Sequence, residues 1–476
     1  MTTTARFGRT SSRGLILGFS TPRVVALALA AVLLVAGLVM SGLVGATVTG
    51  LLWVPLLAAA FVQVQGQPAV EWTELAGVWE VRRMKGQDKY RAKPARPRPA
   101  GTLALPGDAA SLRFYRDPAT DAVMIHDPHR QTVTAAITVT HPAYVLLSPD
   151  DQDQRVAAWG RVLASLAHSG SVAAVQVLES TLPDTSGSIK RWYRDHMTGN
   201  TSSWFDAEYE ALLTLLHTGG IRHQTTIAIA LDMKAAAASI RDAGRGITGA
   251  AAVLGHEMIG LEQGLRTAGL HVERWLTSGE MAAMVRQAYD YASTVQPDDP
   301  GANLAHAGPL AVDEHWANFR SDSGWAAVLW VSEWPRIDVP PHFLHSLVFS
   351  PGVRKSISIV MTPLPTKVAL RQIRKEKTEA VADAHQKAKI GQVADLSDAQ
   401  EYVDLESRER ALIQGHADVE FSGFIAVQAP TEQELTAAVS QIERAASQAA
   451  CETRLLYGRQ TQGFICAALP FARVPR

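Results

Sequence analysis

Cysteine is nearly absent: Cys451 and Cys466 are the only two in 476 residues. They form no CxxC pair, and a disulfide framework needs more of them. A reduced compartment fits that count. No Gly-Lys pair occurs anywhere in the chain. That excludes the loop G-x-x-x-x-G-K-[ST], whose backbone amides cradle phosphate while its lysine reaches the terminal phosphates. A G-x-S-x-G nucleophile elbow is also missing. Net charge is close to zero, with 45 basic and 46 acidic residues, so no direct nucleic-acid binding is expected. The largest absence is local. From Val24 to Val70 there is no Asp, Glu, Lys or Arg.

That uncharged stretch is built of Ala, Val, Leu and Gly. One membrane helix needs about 20 apolar residues, so the length predicts two spans, about 24–42 and 46–64. Gly42, Gly45 and Gly50 lie near the midpoint, where the chain must reverse, and Gly42, Ala46 and Gly50 are spaced for close backbone approach. Pro55 is placed to kink the second span, which lipid tolerates when neighbours re-satisfy the backbone. A cleaved signal peptide is the alternative. Its apolar core is only about 7–15 residues long, and no A-x-A site follows a short apolar run here.

Charge sets the expected topology. Arg6, Arg9, Arg13 and Arg23 precede the hairpin, and Arg82, Arg83, Lys85, Lys89, Arg91, Lys93, Arg96 and Arg98 follow it. Cationic flanks stay cytoplasmic, so both termini and the main body are expected there, with two spans in the cell membrane. Arg23, Arg82, Arg83 and Lys85 flank the membrane, where they orient the chain or meet anionic head groups. Trp72 and Trp79 read as interfacial anchors. The alternating prolines of 93–99 read as a stiff spacer.

Beyond the hairpin the reading is α+β. The organisation expected is a basic amino terminus (1–23), the hairpin (24–64), a basic linker (65–100), a small β segment (101–147) and two α/β units (148–292 and 311–476). In the β segment, Leu112–Tyr115, Val123–His126 and Thr132–Thr140 carry β-branched and aromatic residues between turn signals. The first unit runs from Ser148, a helix cap before Val156, Trp159, Leu163 and Leu166. It continues through strands at Val172–Leu178 and Thr225–Leu231, with a short helix around Ile189–His196 between them. Leu254, Met258, Leu261 and Leu265 mark a further helix, and Thr277 with Glu280 forms a capping box. The second unit opens with strands Ala311–Phe319 and Trp325–Trp334. A short helix is expected from Pro341 to Val348, and strands at Ser356–Met361 and Phe421–Val427. Thr431 with Glu434 caps the next helix, and Thr453–Tyr457 reads as a strand. Residues 366–416 read as a polar helical hairpin breaking near Gly391. Two split βαβ units of ferredoxin-like type are the economical interpretation.

Chemistry-bearing patterns are weak. Gly244-Arg245-Gly246-Ile247-Thr248-Gly249 lacks a strand immediately before it and the full G-x-G-x-x-G spacing, so it reads as a loop and helix start. His256-Glu257 lacks the second histidine of a zinc-protease helix, because residue 260 is Gly. His342 and His345 share a helix face, but spacing fixes no third ligand near them. No catalytic residue, cofactor or metal site is expected.

Trp334-Pro335, the helical hairpin and the close Gln462-Gly463-Phe464…Leu469-Pro470 carry a resemblance. Residues 311–476 resemble the non-catalytic amino-terminal half of VirB-four-class type IV secretion ATPases. The membrane hairpin resembles the small PrgI or VirB-three-type subunit. Together they resemble an actinobacterial conjugation membrane protein family. The resemblance implies a scaffold for DNA transfer, oligomeric within its complex, in contact with other channel subunits. It also implies docking of a separately encoded conjugative ATPase through the hairpin's Arg371, Arg374 and Lys375. The alternatives are a membrane subunit of an actinobacterial type VII secretion system and a membrane-tethered enzyme with a scattered site.

Overall fold

The computed structural model describes residues 7, 20–64, 67–93, 99–141, 144–183, 193, 203–215, 221–295, 302–389 and 396–475. The expected helix at Ile189–His196, apart from residue 193, most of the proline spacer and the join near Gly391 lie outside the described residues. The chain divides into two compact units. The smaller comprises Arg9–Asp88 and Tyr457–Arg459; the larger comprises Met1–Gly8, Lys89–Leu456 and Gln460–Arg476.

The smaller unit contains α1 (Thr21–Phe61), the short strands β1 (Gln63–Val64) and β2 (Gln67–Pro68), and α2 (Ala69–Met84). Among the described residues, α1 is the one helix long and apolar enough to cross a membrane, with mean hydropathy 2.8 over an 18-residue stretch. Its backbone leaves the helical region at Ser41 and Gly42. Gly42 has φ +59°, a conformation that costs glycine little. Residues far apart in sequence meet across this bend. Arg23 Nε donates to the Ala60 carbonyl at 3.1 Å, and Ala26, Ala60 and Val70 bury one another. A Cβ on Gly45 would stand 2.1 Å from the Gly37 oxygen, so the two stretches touch backbone to backbone.

The larger unit begins with β3 (Lys89–Arg91), β4 (Arg113–Arg116), β5 (Val123–Asp127) and β6 (Thr132–Thr140). Then come α3 (Pro149–Ser169), β7 (Val172–Pro183), α4 (Ser203–Leu215) and β8 (Ile221–Asp232). Next are α5 (Ala237–Asp242), α6 (Gly246–Thr267), β9 (His271–Trp275) and α7 (Ser278–Tyr289). The second half runs β10 (Ala311–Glu314), β11 (Phe319–Ser321), β12 (Gly324–Glu333), α8 (His345–Val348) and β13 (Arg354–Leu364). It ends with α9 (Thr366–Lys389), α10 (Leu396–Ile413), β14 (Asp418–Ala429), α11 (Glu432–Gln448), β15 (Glu452–Leu455) and α12 (Gln460–Ala468).

Strands β3 to β15 form a single antiparallel sheet, in the order β3-β10-β11-β12-β14-β13-β7-β8-β6-β5-β4. β15 joins β12, and β9 joins β6. At the centre β13 pairs with β7, Ile359 opposite Val177. To either side the neighbours repeat: β7-β8-β6-β9 on one, β13-β14-β12-β15 on the other. The strands of 101–147 belong to this same sheet. The expected strand Ala311–Phe319 is two, because a turn closed by His315 N to Asn318 O (2.8 Å) separates β10 from β11. The expected helix Pro341–Val348 keeps only its last four residues as α8.

Helix ends follow local chemistry. Ser148 accepts from Asp151 N at 3.2 Å, and Gly170 at φ +66° ends α3. Thr277 and Glu280 bond reciprocally at the start of α7, while Thr431 accepts from Glu434 N at 3.2 Å. On one face of the sheet, Val162 and Leu166 of α3 and Leu254, Met258, Leu261 and Leu265 of α6 cover Val133, Ile137, Ile227 and Ile229. On the same layer Leu435, Val439, Ile442 and Ala446 of α11 cover Leu329, Ile425 and Val427. The other face carries one core common to both halves, where Met281, Val285 and Tyr289 meet Phe319, Phe424 and Phe464.

Candidate functional surfaces

Helices α9 and α10 form the polar hairpin expected from the sequence. Ala369, Ile373 and Leu412 make a small apolar base. Above it the contact is charged. Lys377 Nζ lies 2.5 Å from Glu409 Oε2, Arg408 Nε donates to Asp418 Oδ1 at 2.9 Å, and Arg408 reaches Glu376 at 3.5 Å. The hydrogen bond between Lys377 and Glu409 raises the lysine pKa and lowers the glutamate's. These inward charges hold one helix to the other. Arg371, Arg374 and Lys375 instead face solvent, within an arc of about 100° on α9. Lys375 lies 3.7 Å from Glu379.

The membrane-flanking cations are partly engaged. Arg23 holds the Ala60 carbonyl. Arg82 donates to the Gly458 carbonyl at 2.6 Å and lies over the Trp79 ring. Arg83 is 3.8 Å from Glu80, and Lys85 is exposed. Arg91 forks onto both oxygens of Asp313 at 2.8 and 2.9 Å, closing the β3 edge. Trp79 is buried rather than free for an interfacial role.

The histidines and the Gly-rich loop whose spacing bears on chemistry serve packing and turns. His256 Nδ1 bonds the Ala252 carbonyl at 2.8 Å, and Glu257 accepts from Ser171 Oγ at 2.5 Å. His342 lies beside Tyr144, and His345 beside Phe349. Gly244, Arg245 and Gly246 all have positive φ and turn the chain from α5 into α6. Burial pushes the thiols of Cys451 and Cys466 up to about 11 and about 12. Among the described residues no group of three His, Cys, Asp or Glu is placed to hold a metal.

Buried polar groups that no spacing announced tie the halves together. Gln176 of β7 donates to Ser358 Oγ at 2.8 Å and to the Leu469 carbonyl at 3.0 Å, and accepts from Ala472 N at 2.7 Å. Arg473 reaches Asp108 at 2.8 Å and buried Asp127 at 3.2 Å. The second of these is an ion pair whose angle falls short of a hydrogen bond. In return, Arg354 of β13 donates to the Gln287 and Tyr291 carbonyls at the end of α7. Lys355 is 2% exposed and donates to the Ser350 carbonyl at 2.8 Å. Burial lowers its pKa to about 8, opposed by the Glu179 carboxylate.

Residues 221–331 match the family model described as "Putative type VII ESX secretion system translocon, EccE". That stretch runs from β8 through β12 and is less than half of the chain. No curated protein matches the chain.

The match overturns the type IV resemblance. The elements that carried the resemblance are packing devices. Trp334 lies against β14 because residue 423 is glycine, where a Cβ would stand 2.9 Å from its ring. Gly463 makes room for Leu456 and Val328, and Phe464 and Leu469 fill the common core. Strand-and-helix layers need such residues whatever apparatus they serve. Conjugation, DNA transfer and a separate conjugative ATPase as partner fall with that reading.

Proposed function

We propose that the chain is a membrane-anchored, non-catalytic subunit of a type VII secretion translocon. The match at residues 221–331 carries this reading, and the uncharged stretch from Val24 to Val70 accords with a membrane subunit. We read α1 as a two-span hairpin, supported by the bend at Ser41-Gly42 and the bond from Arg23 to Ala60. Both termini and the larger unit are then cytoplasmic, in keeping with the basic flanks. Each half of the sheet reads as a split βαβ unit, supported by the neighbour orders β9-β6-β8-β7 and β15-β12-β14-β13. The absence of a phosphate-binding loop supports a scaffold role. The exposed Arg371, Arg374 and Lys375 offer a basic face to an acidic surface of another translocon subunit.

Tagging the chain at its chromosomal locus and isolating native membrane complexes tests the assignment. Type VII membrane subunits should co-purify, and deletion should abolish export of type VII substrates. Normal export from the deletion strain, with no such subunits recovered, would refute it.

A further inference from the structure

The two halves of the sheet are covered unequally. Between its first two core strands the first half has α3, Pro149–Ser169; at the same place the second half has only α8, His345–Val348. Trp334, Phe343 and Phe421 are left partly uncovered beside it, and Phe421 is 38% exposed. Gly423 forms the floor, since any side chain there would displace the Trp334 ring. A residue from before α1 sits in this slot. The Phe7 ring stacks on Trp334 at 5.2 Å and 17°, and meets Phe343 and Phe421 edge-on at 5.4 and 5.9 Å. Those are the arrangements aromatic rings prefer. Arg6 and Arg9 flank Phe7, and no acidic residue precedes α1.

We propose that Trp334, Phe343 and Phe421 over Gly423 form a recognition slot for a phenylalanine on a basic peptide, and that its occupant is the chain's own Phe7. The contact lies within the larger unit, which includes Met1–Gly8. It also requires Phe7 and the slot to lie on the same side of the membrane.

Two measurements on the full-length protein in detergent test this. The first combines Gly8→Cys with His342→Cys, next to Phe7 and Phe343, so that all four rings stay in place, and a short bismaleimide; the native cysteines are buried and stay unlabelled in the folded protein. A link within one chain is expected, absent from either single variant. Links found only between chains would overturn the assignment to the chain's own segment, and no link at all would overturn the slot. The second titrates a dye-labelled peptide of residues 1–13 into the Phe7→Ala protein. Saturable binding is expected. It should weaken about tenfold or more, the equivalent of ~1.4 kcal/mol, with Phe7→Ala in the peptide or Trp334→Ala in the protein. Equal binding by both peptides would show that charge alone holds the segment and overturn the proposal. Neither measurement reads secretion, so failure here leaves the translocon assignment standing.

Discussion

Arg473 and Lys355 are both cations inside the larger unit, and they should behave differently on removal. Arg473 neutralises Asp127, which is 3% exposed and also has Arg130 at 3.6 Å. Breaking one side of a buried pair costs about 3–5 kcal/mol where the other charge is left uncompensated; Asp127 keeps Arg130 and the His129 and Arg130 amides, so the loss is expected at the low end of that range. Arg473→Met should therefore lower the thermal midpoint by several degrees, and adding Asp127→Asn should recover part of the loss. An additive double variant would argue against the pairing. Lys355 is instead penalised by burial. Its folded pKa, about 8, lies below the ordinary 10.5. Between those values the unfolded chain holds more protons, so this group's contribution to stability rises with pH. The stability of the parent relative to Lys355→Met should climb from about pH 8 to 10.5. A difference that is flat over that range in chemical unfolding would mean that Lys355 is not desolvated. Neither residue was legible as a site, because a lone Lys or Arg in sequence carries no sign of its partner, and the partners come from distant strands and turns.

At the scale of elements, periodicity placed most strands and helices, since alternation and the helical stripe report which face is buried. It could not assign those elements to halves of one sheet, because strand order is decided by long-range pairing such as β13 with β7. The polar hairpin was legible for a simpler reason: α9 and α10 have little apolar surface, so their charges had to pair with one another or with water. The outward Arg371, Arg374 and Lys375 can therefore be reversed to Glu with little effect on folding, within about 1 kcal/mol, because exposed charges contribute little. Recovery of co-purifying translocon subunits should fall at low salt and change less at high salt, where screening has already weakened the contact. Parental recovery at low salt would locate docking elsewhere. In α1 the constraint is steric. Gly45→Leu should break the approach to the Gly37 carbonyl and reduce the amount of intact protein in membranes, while Gly50→Ala, where only the Trp53 ring is near, should not.

For the whole molecule, the fold was more legible than the function, because nothing in the body depends on a motif whose chemistry names a reaction. A purified, full-length preparation should accordingly not hydrolyse ATP above background; turnover surviving purification to homogeneity would contradict a scaffold role. Topology is the property that sequence and structure address together. A straight helix spanning Thr21–Phe61 would be about 60 Å long, twice the thickness of a bilayer core. It would also hold Arg23 and Ala60 about 55 Å apart. Arg23 Nε and the Ala60 oxygen lie 3.1 Å apart, so the start and end of the apolar stretch meet, as the proposed hairpin requires. Basic residues follow at Arg82, Arg83 and Lys85, and Arg6, Arg9 and Arg13 precede it; both sets favour the cytoplasmic side. Reporters fused at residue 5 and after residue 476 should both read cytoplasmic, and one inserted at Gly45 should read external. Abolishing the contact of Phe7 with the slot around Trp334 by Phe7→Ala should leave all three signals unchanged, since in the proposed topology charge and the bend set the orientation. An external signal at the carboxyl end would leave a single crossing, and with it the bond from Arg23 to Ala60 could not exist in the membrane.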